Sequence, residues 1–90
     1  MNQNNRTEER LSLQKRCILE DQHGWIGTHT IDISKIGLGV KTDNTLPLRL
    51  KNGCELSVLI ESTKLPPAKL MWTKKDINNT TRLGLKFIAA

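Results

Sequence analysis

Three observations on this 90-residue chain predict an all-β fold, a six-stranded antiparallel barrel of the split-barrel type with a flexible N-terminal arm. From Leu11 onward the apolar residues recur with a period of two, the spacing of a strand with one buried face. Turn-forming clusters separate these runs, and no stretch sustains the spacing of an amphipathic helix. Closure into a barrel suits so short a chain, because it leaves no strand edge exposed.

The elements follow in order. Residues 1–10 are polar throughout and read as the arm, with residues 11–90 forming the barrel. The first run carries Leu11, Leu13, Cys17 and Leu19, with Lys15 interrupting it. Asp21, Gln22, His23 and Gly24 supply the next turn. In the second run Trp25, Ile31 and Ile33 share one parity, while Thr28, Thr30, Asp32 and Ser34 share the other. Ile31 and Ile33 are expected to face the core, and His29, of the same parity, to pack or to reach the barrel end. Leu38 and Val40 define the third run. Asn52 and Gly53 form a strong tight-turn dipeptide, ahead of a fourth run of Cys54, Leu56, Val58 and Ile60. Pro66 and Pro67 are expected to break the chain. Ala68, Leu70 and Trp72 share a face in the fifth run, which makes core packing the expected role of Trp72. Leu83, Leu85 and Phe87 make the sixth, after a turn at residues 76–79.

Composition bounds the function. The net charge of +5 favours anionic partners without choosing among nucleic acid, an anionic membrane and a phosphorylated small molecule. Aromatics are few: Trp25, Trp72 and Phe87, with no tyrosine. All three have inward parity or sit at strand ends, which argues against the exposed stacking platforms of a single-stranded nucleic-acid binder. No stretch reaches the ~18 apolar residues of a membrane span, so no membrane insertion is expected. The N-terminus shows no apolar signal segment, so the expectation is a cytoplasmic protein whose Cys17 and Cys54 are free, buried thiols. Cys17, His23, His29 and Cys54 lack the spacing of a zinc clip. No catalytic triad or phosphate-cradling glycine loop is recognisable, so neither an enzyme nor a resident cofactor or metal is expected.

Two motifs carry chemistry. In Asp32-Ile33-Ser34-Lys35-Ile36-Gly37, a D-x-S-x-x-G unit, Asp32 and Ser34 point to one face of a strand. The carboxylate matches the N1–H and amino group of a guanine edge, and the hydroxyl can donate to a phosphate. Gly37 allows a left-handed backbone or close approach by a ligand. In Arg6-Thr7-Glu8-Glu9-Arg10, an R-x-x-x-R unit, each guanidinium fits a phosphate, or the O6 and N7 of guanine, with two parallel bonds. Taken singly, each motif has a bland reading: a solvated arm for the first arginines, a strand-end turn for the aspartate and serine.

Together the motifs resemble the PilZ domain, whose signature is R-x-x-x-R followed, about one hairpin later, by [DN]-x-S-x-x-G. The resemblance spans residues 6–88 and includes Leu70-Met71-Trp72 and the closing Arg82-Leu83-Gly84-Leu85-Lys86-Phe87. It implies a non-enzymatic receptor for the bacterial second messenger cyclic di-GMP. Arg6 and Arg10 would grip guanine and phosphate, Asp32 and Ser34 would hold the second part of the dinucleotide, and Gly37 would make room for it. Trp72 would be a neighbour of the site. The signal would pass to an unidentified effector protein, in processes such as motility, surface attachment and biofilm formation, from a monomer. Alternatives are a PilZ-like protein-interaction module without nucleotide binding, and a single-stranded nucleic-acid-binding barrel. The chain departs from the family at Asn5, where many members carry an arginine, and in Glu8 and Glu9. The C-terminal helix of many members is missing before Ala90, as if absent or part of a longer protein.

Overall fold

The computed structural model describes residues 11–12 and 14–88, with the backbone alone at the first pair. It is all-β: β1 (Leu11–Ser12), β2 (Arg16–Asp21), β3 (Gly24–Ile33), β4 (Gly37–Thr42), β5 (Glu55–Ile60), β6 (Thr63–Lys75) and β7 (Thr81–Phe87). Every pairing is antiparallel. The order β3-β2-β5-β6-β7-β4 returns to β3 through the β3–β4 pairing, which closes a six-stranded barrel. β1 pairs with the end of β3, Leu11 opposite Ile33, beyond the last β2 partner of that strand, His29. The first apolar run of the sequence therefore splits around Lys15 into two pieces, β1 and β2, both paired to β3.

The core is aliphatic, as the shortage of aromatics demands. Leu19, Val40, Val58, Leu70 and Leu83 are among its fully buried side chains, and Cys17 lies with them. Burial pushes the Cys17 thiol above its usual pKa, since a thiolate there would lose its hydration. Cys54 is only half-buried, and both thiols are free. At the rim, Arg49 Nε donates to Asp21 Oδ2 at 2.7 Å. That bond holds the Asp21 carboxyl below its ordinary pKa.

Two sequence expectations fail here for identifiable reasons. Pro66 and Pro67 do not break the chain, and β6 runs through them from Thr63 to Lys75. They lie at a register shift opposite Ser57, between the pairs Leu56–Ala68 and Val58–Leu65, where the ladder is interrupted and a missing N–H is tolerated. The facing of β3 is also inverted over most of its length. Ile26, Thr28 and Thr30 point inward and are buried, while Trp25 and His29 are exposed on the wall. The buried hydroxyls cost little because the backbone satisfies them. Thr28 Oγ1 donates to the Cys17 carbonyl at 2.7 Å, and Thr30 Oγ1 accepts from the Lys15 N–H at 2.9 Å.

A β-bulge then switches the facing. Thr30 pairs with Val40 and Asp32 with Gly39, so Ile31 is an extra residue on β3. Beyond it Ile33 packs against the core as expected, and Asp32 turns outward.

Candidate ligand-binding site

The barrel wall formed by β3, β4, β7 and β6 carries an unusual row of residues. Asp32 pairs with Gly39, Gly39 with Gly84, and Gly84 with Trp72. Four neighbouring outward positions thus read carboxylate, no side chain, no side chain, indole. At the ordinary strand spacing the row is about 14 Å long. The result is a trough with a bare backbone floor and Asp32 and Trp72 as its ends.

Both ends are set by bulges. The Ile31 bulge delivers Asp32. On β6, Leu70 pairs with Leu85 and Trp72 with Gly84, so Met71 is the extra residue. That shift turns Trp72 out of the core, against the core-packing role its parity with Ala68 and Leu70 predicts. It is 48% exposed. The indole lies over Gly84, where a Cβ would fall inside the ring. Gly39 serves the other end, since a Cβ there would stand 3.1 Å from Asp32 Oδ1.

The trough is a cavity of about 360 Å³, lined also by Ile31, Ile36, Met71 and Ser34. Cationic side chains flank it along the strands. On one side Lys41, Arg82 and Lys74 are successive cross-strand partners. On the other, Lys86 pairs with Lys69. Arg82 and Lys86 line the cavity itself. Like charges set opposite one another cost stability in a sheet, so the barrel alone does not call for this arrangement. Arg82 is held in place by Asp76, through bonds of 2.9 and 3.3 Å.

Of the residues singled out in the sequence, Asp32, Ser34, Gly37 and Trp72 meet at this cavity. Ser34 also shapes the β3–β4 turn. Its N–H donates to the Gly37 carbonyl at 2.9 Å, and its Oγ accepts from the Ile36 N–H at 3.3 Å. Gly37 is buried, and a Cβ there would strike the carbonyl of Leu85. Its lack of a side chain therefore admits the neighbouring strand β7, whatever a ligand requires. Arg6 and Arg10 lie outside the described residues. Sequence reasoning missed Arg82 and Lys86 as site residues. Their signal was present, since they alternate with the inward Leu83 and Leu85, but nothing in the sequence said which wall β7 joins. Among the described residues no three metal-binding side chains cluster.

The described residues thus form a small closed barrel with a shallow outward trough that has one aromatic face, one carboxylate and flanking cations. The sequence matches the PilZ domain family over residues 4–90. The chain belongs to that family. Among solved structures it resembles the PilZ domain with c-di-GMP of YcgR from Escherichia coli, with a TM-score of 0.75 and 18% identity, over 94% of this chain and 79% of that one. It also resembles the Bacillus subtilis inhibitor of motility MotI/DgrA, with a TM-score of 0.72 and 20% identity, over 97% of this chain and 45% of that one. The chain thus spans just under half of the MotI/DgrA chain. No curated protein matches it by sequence.

Proposed function

We propose that this PilZ domain is a non-enzymatic receptor for cyclic di-GMP that signals to a partner protein in trans. The observation carrying the reading is the Asp32–Gly39–Gly84–Trp72 row between its cationic flanks. In this reading the indole of Trp72 stacks on one base and the Asp32 carboxylate accepts from a guanine edge. Arg82 and Lys86 draw the phosphates in. Arg6 and Arg10 cover the ligand from above, each with a fork of donors to guanine or phosphate. Family membership supports the reading, as does the ligand named in the E. coli YcgR structure.

A ligand held by a few charge-assisted contacts, less the entropic cost of association, should bind with roughly micromolar affinity, about −8 kcal/mol. Replacing Arg6 or Arg10 by alanine should cost about 1–3 kcal/mol. Titration calorimetry with cyclic di-GMP tests the proposal on the intact chain and on Arg10→Ala and Asp32→Ala. Saturable binding weakened by both substitutions supports it. The absence of saturable heat with the intact chain would leave the protein-interaction module as the better reading.

One observation favours a second reading. Trp72 is exposed between two cationic rows, which is also how single-stranded nucleic acid is held. Displacement of cyclic di-GMP by short RNA, with a steep loss in salt, would favour it.

A further inference from the structure

The described residues include six large apolar side chains that are exposed: Trp25, Ile36, Leu48, Met71, Trp72 and Ile77. Ile36, Met71 and Trp72 line the trough and are accounted for by the ligand site. Trp25, Leu48 and Ile77 are not. They are 65%, 93% and 97% exposed, far beyond what barrel packing requires.

These three side chains share one end of the barrel. In an antiparallel barrel successive connections alternate between the two ends. The β2–β3, β4–β5 and β6–β7 connections therefore lie together, opposite the Ser34–Gly37 turn and the β5–β6 turn. Trp25 follows the first of them, Leu48 lies in the second and Ile77 in the third. Polar contacts tie the three connections to one another. Arg49, next to Leu48, bonds to Asp21. Thr42 Oγ1 and Asn44 Nδ2 donate to the Gly27 carbonyl at 2.9 and 3.3 Å, and Thr80 Oγ1 donates to Asp43 Oδ1 at 2.9 Å.

We infer that this end of the barrel is a docking surface for an anionic phospholipid bilayer, with Trp25, Leu48 and Ile77 reaching into the headgroup and upper acyl region. Leu48 and Ile77 are separate loop tips and Trp25 stands beside them on the β3 wall, so the three offer no continuous patch to a rigid protein partner. A fluid bilayer closes around each of them independently. Trp at the interface and aliphatic side chains below it match the layering of a membrane surface. Charge points the same way. Asp21 and Asp76 at this end are neutralised by Arg49 and Arg82. Lys41, Lys51, Lys74 and Lys75 make no ion pair among the described residues, and they outnumber Glu20, Asp43 and Glu55 there. Within a chain of net charge +5, that leaves lysines to meet lipid phosphates. The attachment is interfacial, by side chains, and among the described residues no helix is long and apolar enough to cross a membrane.

The test is co-sedimentation of the full chain with vesicles of phosphatidylcholine alone and of phosphatidylcholine mixed with phosphatidylserine. Binding is expected to the mixed vesicles, falling with added salt. A chain carrying Leu48→Ser and Ile77→Ser should bind at least about tenfold more weakly, and Lys74→Glu with Lys75→Glu should weaken it comparably. All four positions are exposed, so unchanged thermal melts should accompany the loss. In a Trp72→Phe background, brominated acyl chains should quench the remaining Trp25 emission. No sedimentation with mixed vesicles overturns the inference. So does sedimentation that survives both double substitutions, or binding without quenching, which would mean a purely electrostatic adsorption.

Discussion

The indole of Trp72 occupies the space that a side chain on Gly84 would fill, across the β6–β7 pairing. This makes Gly84 a determinant of where the aromatic face lies. Gly84→Ala should push the half-exposed ring aside at a small cost, about 1 kcal/mol or less, because the ring can swing into solvent. Ligand affinity should fall by about tenfold, the loss of a stacking contact. Urea unfolding and titration calorimetry read the two effects separately. A variant with unchanged affinity would mean that the ring position is irrelevant to binding.

Gly37 should behave in the opposite manner. A Cβ there meets the backbone carbonyl of Leu85, and backbone in a paired strand cannot step aside. Gly37→Ala should therefore destabilise the barrel by about 1–3 kcal/mol by forcing β4 from β7. Thermal unfolding is the measurement, and a melting temperature equal to that of the unsubstituted chain would contradict the packing argument.

The Asp21–Arg49 contact should be visible in the pH dependence of stability. Arg49 holds the Asp21 pKa below its ordinary value of 3.8. A carboxylate with a lowered folded pKa contributes stability that is complete above the unfolded pKa and lost as pH falls through the folded one. Arg49→Met should thus be less stable than the unsubstituted chain near neutral pH. The difference should shrink as pH drops below about 4. Chemical denaturation at several pH values tests this, and a difference that persists unchanged into strong acid would show that Arg49 acts through packing alone.

The two thiols should separate kinetically. Cys17 is fully buried and its pKa is raised by desolvation, so little reactive thiolate forms. Cys54 is half-buried at the start of the β5 region. With a thiol-reactive dye on the native protein, Cys54→Ser should abolish fast labelling, and Cys17 should react only on unfolding. Rapid labelling of Cys17 in a Cys54→Ser chain would indicate frequent opening of the β2–β3 wall.

Much of the barrel was legible in the chain. Period-two runs such as Leu56, Val58 and Ile60 need only a hydrophobic face and a dry core to become a strand. The turn at Asn52 and Gly53 needs only local backbone preference, and Gly53 indeed has a φ of 96°. What could not be read were the bulges. Ile31 and Met71 are ordinary strand residues by composition, and their skipping is decided by how β3 fits β4 and how β6 fits β7. Each bulge reverses the facing of everything after it. That is why the parity of Trp72 with Leu70 pointed inward while the side chain stands in the trough.

The sequence by itself determined the fold class, the family and the polar cluster at Asp32 and Ser34, because these rest on short-range spacing and on one hairpin of separation. Only the tertiary structure decided which wall the cluster faces. It set Gly39 and Gly84 side by side as a floor, turned Trp72 outward and brought Arg82 and Lys86 to the rim. It also gathered Trp25, Leu48 and Ile77 at one end of the barrel. Residues so far apart in the chain meet through strand order and register, and those come from closing six strands around one core.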